Sequence, residues 1–263
     1  MHWLDVNGAA LRYELLGAGD RTLVLVHEMG GTLDSWDHVL PALSRGRRML
    51  RYDTRGAGQS EKLQAPPALD DMADDIAALL DALGISGPVV LMGCAVGGAI
   101  VLRFALRHPE RTAAIIVTSP ATGMPRDRRE ATLARVATLE AGTMRDAVEA
   151  SFAASYPPEV RHDAEHYRAF RARWLANDPR SYGAIYRMLA QTDMTDELPR
   201  IACPTLVIAG THDKLRPPAM VEQVAEAIPG AAFRVLDSGH FMAVQTPALV
   251  AEAVNGFLAK LGL

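Results

Sequence analysis

The chain has 263 residues, 49% of them hydrophobic, which suffices for one large α/β domain with an insertion or for two small domains. Its net charge of −4 argues against nucleic acid as a partner, because phosphate binding requires a basic face. The sequence shows no apolar run of membrane-spanning length and no basic, apolar leader. Its two cysteines form neither a disulfide framework nor a metal-binding spacing. We therefore expect a cytoplasmic protein without membrane contact.

The first half of the chain alternates between strand-like and helix-like segments. Residues 3–6 and 11–16 predict two strands joined by a hairpin turn at Asn7-Gly8. Further strands are predicted at 22–26, 48–52, 89–93 and 113–118. Helical spacing predicts helices over 36–43, over 70–83 and from Gly97 to about 107.

This rhythm is interrupted between residues 121 and 200, where the pattern is helical throughout and strand-like runs are absent. It resumes with strands at 205–209 and 233–236 and with helices at 218–228 and 247–261. Strands that alternate with helices imply a parallel, doubly wound sheet. We therefore predict an α/β core of residues 1–120 and 201–263 that carries a helical cap at 121–200.

We expect the catalytic centre at the turn between the strand that ends at Gly93 and the helix that begins at Gly97. A strand, a sharp turn and a helix are the context in which G-x-S-x-G acts as a nucleophile elbow. The central residue is held in a strained backbone conformation, so the residues two before and two after it must be very small. Gly93 and Gly97 meet this requirement, and they make Ala95, which has no nucleophile, the central residue.

Three interpretations of Ala95 are open. Cys94 would replace the missing nucleophile only if Met92 and Val96 fitted the flanking positions, which their size opposes. A second interpretation is a natural non-catalytic relative that serves as a binding protein or receptor. We favour the third, in which serine is the natural residue at position 95 and this chain is a deliberate Ser→Ala variant that keeps the pocket.

Five motifs in chain order extend the pattern over nearly the whole chain. They are HEMGG at 27–31, YDTRGAGQS at 52–60, GCAVGG at 93–98, GTHDKLRPP at 210–218 and SGHF at 238–241. Together they resemble the α/β-hydrolase superfamily, and the phrases RYDTRG and LVIAGTHD are similar to the 3-oxoadipate enol-lactonase branch. The resemblance implies a doubly wound, mostly parallel eight-stranded sheet with helices on both faces.

The resemblance also implies the remaining catalytic parts, in the order nucleophile, acid, histidine. Asp213 would orient His240, and His240 would take the proton from a serine at position 95. The backbone N–H groups of Met29 and Val96 would stabilise the oxyanion, each contributing about 3 kcal/mol. Asp237 is too close to His240 in sequence to be the acid, and we expect it to be a turn residue.

Candidate substrate-binding residues are Glu28, Met124, Trp174, Met188 and Phe241. Glu28 departs from the family pattern, because many relatives have glycine after the histidine of this turn. Its side chain either faces the pocket or turns outward to bond a neighbouring loop, and we favour the outward role, since a carboxylate in the pocket would oppose an anionic substrate. Trp174 is expected either to wall the substrate or to pack within the cap, while the methionines would line an adaptable apolar cavity.

These parts predict a hydrolase that acts on an ester, lactone or amide of a small molecule, inactivated at position 95, with no metal and no organic cofactor. The expected partner is a small-molecule substrate, and the sequence predicts no oligomeric state. A non-catalytic receptor on the same fold would explain Ala95, but not the retention of Asp213 and His240. A C–C bond hydrolase, a lyase or a cofactor-free oxygenase would use the same His–Asp pair, because a fold does not fix its chemistry.

Overall fold

The hairpin predicted at Asn7-Gly8 opens the computed structural model, which describes residues 1–124 and 126–263. Asn7 and Gly8 have φ angles of 48° and 74°, as a tight turn between twisted antiparallel strands requires. The turn joins strand β1 (His2–Val6) to strand β2 (Ala9–Gly17). The local turn chemistry therefore predicts the first supersecondary unit correctly.

Eight strands form one sheet in the described residues, in the order β1-β2-β4-β3-β5-β6-β7-β8. The first two pairings are antiparallel and the other five are parallel, so the predicted doubly wound, mostly parallel sheet is confirmed. The remaining strands are β3 (Thr22–Val26), β4 (Arg48–Tyr52), β5 (Val89–Cys94), β6 (Thr112–Thr118), β7 (Thr205–Gly210) and β8 (Ala232–Leu236).

The helices in the described residues are α1 (Leu40–Leu43), α2 (Leu69–Ala82), α3 (Val96–Arg107), α4 (Arg126–Ala141), α5 (Met144–Ser155), α6 (Ala164–Leu175), α7 (Pro179–Gln191), α8 (Pro218–Ala227), α9 (Met242–Gln245) and α10 (Pro247–Lys260). The prediction of one helix over 36–43 is wrong, since a 3₁₀ turn at Leu33–Trp36 precedes the short helix α1. A continuous helix would need an N–H on Pro41 to bond the carbonyl of Asp37, and proline has none.

Across the described part of the chain, none of these helices has both the length and the apolarity to cross a membrane.

Helices cover both faces of the sheet, and strands β3 and β5 are buried along their whole length. On one face, α2, α3 and α8 pack in a cluster that includes Ile76 and Phe104. On the other face, α1 and α10 pack in a cluster that includes Trp36 and Val254. Trp36 is therefore a core residue.

Residues 121–200 contribute helices α4 to α7 and an isolated bridge between Gly123 and Asp193, and none of the eight sheet strands. Residue 125 of the predicted cap lies outside the described residues. A third, largely aromatic cluster joins α5, α6 and α7 to Phe241, which follows strand β8. These helices thus pack over the end of the sheet at which the strands finish, while the exact domain boundaries stay a prediction.

A pair of histidine rings joins the core to helix α6, with the ring centroids of His38 and His166 3.4 Å apart. Burial and the neighbouring His166 and Arg173 lower the pKa of His38, although Asp37 and Asp163 oppose the shift. The folded state therefore binds this proton less readily than the unfolded state. The stability associated with the neutral His38 ring is fully present above the unfolded-state pKa of about 6.5. It is lost as the pH falls through the lowered pKa that His38 has in the folded state.

We expect His38→Gln to reduce the loss of thermal stability between pH 7.5 and pH 5.5, because the variant removes the ring whose protonation opposes folding. Circular dichroism melts at both pH values measure this loss. His162→Gln is the matched control, since His162 is an exposed cap histidine outside the ring pair. Equal losses in the original chain and in the His38 variant would refute the expectation.

Candidate active site

Ala95 lies at the turn between β5 and α3, in a backbone conformation that side chains rarely adopt, with φ 53° and ψ −111°. A Cβ on Gly93 would lie 2.2 Å from the carbonyl oxygen of Gly97. A Cβ on Gly97 would lie 2.1 Å from the carbonyl oxygen of Val26. These separations are far below any van der Waals contact, so the predicted steric need for two glycines is confirmed.

Cys94 is not placed to act as a nucleophile. It packs in the same hydrophobic cluster as Met92 and Met242, with its Sγ 3.5 Å from the carbonyl oxygen of His240. Burial raises the pKa of this thiol well above its ordinary value, which disfavours the reactive thiolate. Cys94 is also absent from the wall of the main cavity. The structure therefore contradicts the interpretation of Cys94 as the nucleophile.

Asp213 and His240 form the pair that the sequence predicts. The Nδ1 of His240 lies 2.7 Å from the Oδ2 of Asp213, and both side chains are buried. Because the carboxylate accepts, Nδ1 carries the proton and Nε2 is left as an acceptor. Burial of Asp213 opposes its ionisation, but the attraction of His240 and the hydrogen bonds to the carboxylate outweigh it, so the pKa of Asp213 is lowered. The site therefore holds an ionised acid beside an oriented imidazole.

Ser119 is a member of this cluster that the sequence analysis missed. It follows β6 with a φ of 45°, and its hydroxyl donates to Oδ2 of Asp213 at 2.7 Å. The other oxygen of Asp213 accepts from the backbone N–H groups of Leu215 and Arg216, both at 2.9 Å. Asp213 therefore receives four hydrogen bonds, and the only signal in the sequence is a serine at the end of a neighbouring strand.

Asp237 and His212 lie apart from this cluster. The Nε2 of His212 lies 2.8 Å from the Oδ1 of Asp237, and Asp237 is exposed. Asp237 therefore pairs with a different histidine, and the prediction that it does not serve His240 is confirmed.

The turn after β3 is held by His27. Its Nε2 accepts from the N–H of Thr54 at 3.0 Å, so Nδ1 carries the proton and donates to the carbonyl oxygen of Glu28 at 2.7 Å. The N–H of Gly31 donates to the same oxygen at 3.0 Å. Because the peptide bond is planar and trans, the N–H of Met29 points away from these donors. The arrangement suits Met29 as an oxyanion donor.

The side chain of Glu28 is 3% exposed, and the residue lines the main cavity. Its Oε1 accepts from the hydroxyl of Ser35 at 2.7 Å. The predicted bond to a neighbouring segment is therefore present, and the residue also lines the cavity, so Glu28 has features of both interpretations. The absence of a side chain at Gly31 makes this position possible, since a Cβ there would lie 2.1 Å from Oε1 of Glu28.

The main cavity has a volume of about 390 Å³ and lies between the sheet and the cap helices. It brings together most of the predicted site residues, namely Glu28, Met29, Ala95, Val96, Met124, Trp174, His240 and Phe241. Met188 does not line it and packs instead in the hydrophobic cluster that contains Ile185. The structure therefore does not place Met188 in the cavity wall with the other candidate substrate-binding residues.

Trp174 has both of the roles between which the sequence did not decide. It lines the cavity and also packs edge-on against Phe152 and Tyr182, at centroid distances of 5.1 and 5.5 Å. Its indole also fills the space beside Gly30, where a Cβ would lie 2.4 Å from the ring. The cap is thus fitted against the turn that carries Met29.

Three arginines in the cavity wall, Arg128, Arg135 and Arg216, were not singled out from the sequence. Burial lowers the pKa of Arg216, and the attraction of Asp213 offsets only part of this shift. Its Nη2 donates to the carbonyl oxygen of Gly123 at 3.1 Å. Among the described residues no carboxylate forms an ion pair with any of the three guanidinium groups. Helix orientation, which the sequence does not fix, brings Arg128 and Arg135 to the cavity.

Among the side chains that the structure describes, no group of three or more histidine, cysteine or acidic residues is placed to hold a metal ion.

Comparison with known proteins gives a consistent assignment. The sequence profile of the family described as "alpha/beta hydrolase fold" matches residues 21–247. A protein described as a RutD carbamate hydrolase from Azorhizobium caulinodans is 30% identical over 265 residues, which covers 99% of each chain. The 3-oxoadipate enol-lactonase 2 of Acinetobacter baylyi is 26% identical over 98% of this chain and 96% of its own.

A solved structure adds a direct comparison of the folds. The enol-lactonase from Burkholderia xenovorans superimposes with a TM-score of 0.91 at 27% identity, covering 98% of this chain and all of that one. The predicted similarity to enol-lactonases is thereby confirmed. The matched profile spans the elbow and both members of the Asp213–His240 pair, and the chain belongs to the α/β-hydrolase fold family.

Proposed function

We propose that this chain is a hydrolase-type protein that binds a small-molecule ester, lactone or amide in the cavity between sheet and cap. The observation that carries the proposal is the 2.7 Å hydrogen bond between Asp213 and His240, a histidine that lines the cavity together with Ala95. Relatives named as an enol-lactonase and a carbamate hydrolase support the same class of acyl chemistry.

In a form with serine at position 95, the serine oxygen attacks the carbonyl carbon while Nε2 of His240 takes its proton. The N–H groups of Met29 and Val96 stabilise the negative charge that develops on the carbonyl oxygen. His240 then returns the proton to the leaving group, and a water molecule releases the acyl group by the same steps in reverse order. Asp213 holds the imidazole in the required tautomer throughout.

Position 95 is where this chain departs from that mechanism. A methyl group cannot form the acyl-enzyme, so Ala95 closes the covalent route but preserves the shape of the pocket. We infer that serine is the natural residue at this position and that the chain is an inactivated variant. Ala95 also favours a second candidate, a binding protein on the same fold, but that candidate does not account for a carboxylate that receives four hydrogen bonds.

The wall of the cavity favours a small, partly apolar substrate. Trp174 and Phe241 provide flat apolar surfaces, and Met124 provides an adaptable one. Arg216 offers donors to a polar substituent at a position where its charge has no ion-pair partner among the described residues.

Restoring the nucleophile tests the proposal. We expect Ala95→Ser to hydrolyse p-nitrophenyl acetate or a small lactone at least about 10³-fold faster than the original chain, because a serine nucleophile gains from both the base and the oxyanion donors. Initial rates measure the gain in activity. A burst of p-nitrophenol equal to the enzyme concentration reports the formation of an acyl-enzyme. If the serine form is inactive on a panel of esters, lactones and amides, the binding protein becomes the better interpretation.

A further inference from the structure

Glu28 is a buried carboxylate that the serine mechanism does not use. Its side chain is 3% exposed, and it shares the cavity wall with Ala95 and His240. Oε1 accepts from Ser35, whereas Oε2 has no hydrogen-bond partner among the described residues. No arginine, lysine or histidine side chain that the structure describes forms an ion pair with this carboxylate. Glu28 therefore lies in the cavity wall with one carboxylate oxygen that has no hydrogen-bond partner among the described residues.

A purely structural role does not account for this arrangement. Burial of a carboxylate without a cation costs several kcal/mol. A neutral glutamine would accept the same hydrogen bond from Ser35 without that cost. A carboxylate oxygen without a protein partner in a cavity wall can accept a hydrogen bond from a bound water or ligand.

Ala95 and His240 provide the other half of the argument. The Nδ1 proton of His240 is committed to Asp213, so Nε2 is an acceptor with no protein donor among the described residues. The methyl of Ala95 lacks the oxygen that would otherwise meet this acceptor. Glu28 and His240 line the same cavity. A water molecule placed between them would donate one hydrogen to each of two acceptors, Nε2 of His240 and Oε2 of Glu28.

We propose that Glu28 and His240 together bind and activate a water molecule that hydrolyses a small ester or lactone directly, without an acyl-enzyme. This inference rests on the proposed function, because it uses the same pocket and the same oxyanion donors. It differs in the nucleophile, and it gives the chain with Ala95 an activity of its own.

In the proposed step, Nε2 of His240 takes one proton of the water as the water oxygen bonds to the carbonyl carbon. The carbonyl π electrons move to the oxygen, which Met29 and Val96 stabilise with their N–H groups. The second hydrogen stays on the water oxygen and donates a hydrogen bond to Oε2 of Glu28, which orients the attack. The C–O bond to the leaving group then breaks, and the imidazolium protonates the alkoxide, so one ester and one water give one acid and one alcohol.

The test uses p-nitrophenyl acetate as the probe with the full-length chain. We expect the original chain to hydrolyse this ester about 100-fold faster than the His240→Ala variant does, which is in the lower range for general base catalysis. Glu28→Gln should lose about tenfold or more of this activity, since the amide presents donors instead of an acceptor at Oε2. The original chain should show no burst, because no acyl-enzyme accumulates.

Further variants separate loss of function from loss of folding. The Glu28→Gln variant keeps the size of the side chain and the hydrogen bond that Ser35 donates. Circular dichroism melts verify that this variant is folded. Ser35→Ala removes the anchor of Oε1 and should reduce the activity by less than Glu28→Gln does. Asp237→Asn, on the surface, is the matched control for removal of an acid and should leave the rate unchanged.

The outcomes distinguish this inference from the proposed function. If Ala95→Ser shows a burst but the original chain is no faster than His240→Ala, the water mechanism is overturned and the serine mechanism stands. Full activity in a folded Glu28→Gln variant also overturns it. If the original chain shows hydrolysis that depends on Glu28 while Ala95→Ser gives no burst, the water mechanism stands and the serine mechanism fails.

Discussion

In a chain that carries serine at position 95, Asp213→Asn is expected to lower kcat for ester hydrolysis by about 10⁴-fold. The reason lies in the four hydrogen bonds that the carboxylate accepts. Oδ1 accepts from two backbone N–H groups, those of Leu215 and Arg216, and their positions are fixed by the loop after β7. The amide oxygen of asparagine must therefore take the place of Oδ1.

The amide nitrogen of the variant then takes the place of Oδ2, next to Nδ1 of His240. In the original site Oδ2 lies 2.7 Å from this nitrogen and accepts its proton. An NH₂ group in the same place donates instead, so Nδ1 must lose its proton and Nε2 must gain one. A protonated Nε2 cannot take the proton from serine, and the loss should fall on kcat with little change in KM.

Matched controls distinguish this mechanism from a general loss of charge. Asp237→Asn removes a carboxylate from an exposed Asp–His pair with a similar distance of 2.8 Å, and it should leave kcat unchanged. Ser119→Ala removes one of the four donors to Asp213 and should cost about tenfold or less, in line with the loss of one hydrogen bond to a charged group. Steady-state kinetics of the three variants would contradict the mechanism if Asp213→Asn kept most of the parent kcat.

The elbow and the Asp–His pair could be predicted from the sequence because short-range rules fix them. A strained turn requires small flanking residues, and Gly93 and Gly97 lie at the required spacing. Asp213 and His240 each follow a strand of a parallel sheet, so the topology brings their loops to the same edge. These features depend on a few neighbouring residues and on strand order.

The remaining parts of the site depend on tertiary packing, which no local pattern encodes. The carboxylate of Glu28 is held where Gly31 leaves space for it and Ser35 binds it from the next turn. Met188 and Tyr186 lie two residues apart on α7, yet only Tyr186 lines the cavity. The rotation of each cap helix decides such cases, and that rotation is set by aromatic contacts between helices.

We expect Gly97→Ala to destabilise the fold by about 3 kcal/mol, at the upper end of the usual cost of overpacking. The added Cβ would lie 2.1 Å from the carbonyl oxygen of Val26 and 2.5 Å from that of His27, and both are backbone atoms that no rotamer change can move. Helix α3 or the end of β3 must therefore shift. For a chain of this size the cost corresponds to a fall in Tm of about 10 °C.

Gly256→Ala is the matched control, since Gly256 is an exposed residue of α10 with no atom within 4 Å of its added Cβ. It should stabilise the chain by about 0.5–1 kcal/mol, because alanine restricts the unfolded chain and favours helix. Thermal or urea unfolding measures the stability of both variants.

The shift that Gly97→Ala forces also displaces the turn that carries Met29. In a chain with serine at position 95, the variant should therefore lose kcat even at temperatures where it remains folded. A Gly97→Ala variant as stable as its parent would show that the elbow tolerates a larger residue, and the steric argument that places residue 95 at the centre of the site would then fail.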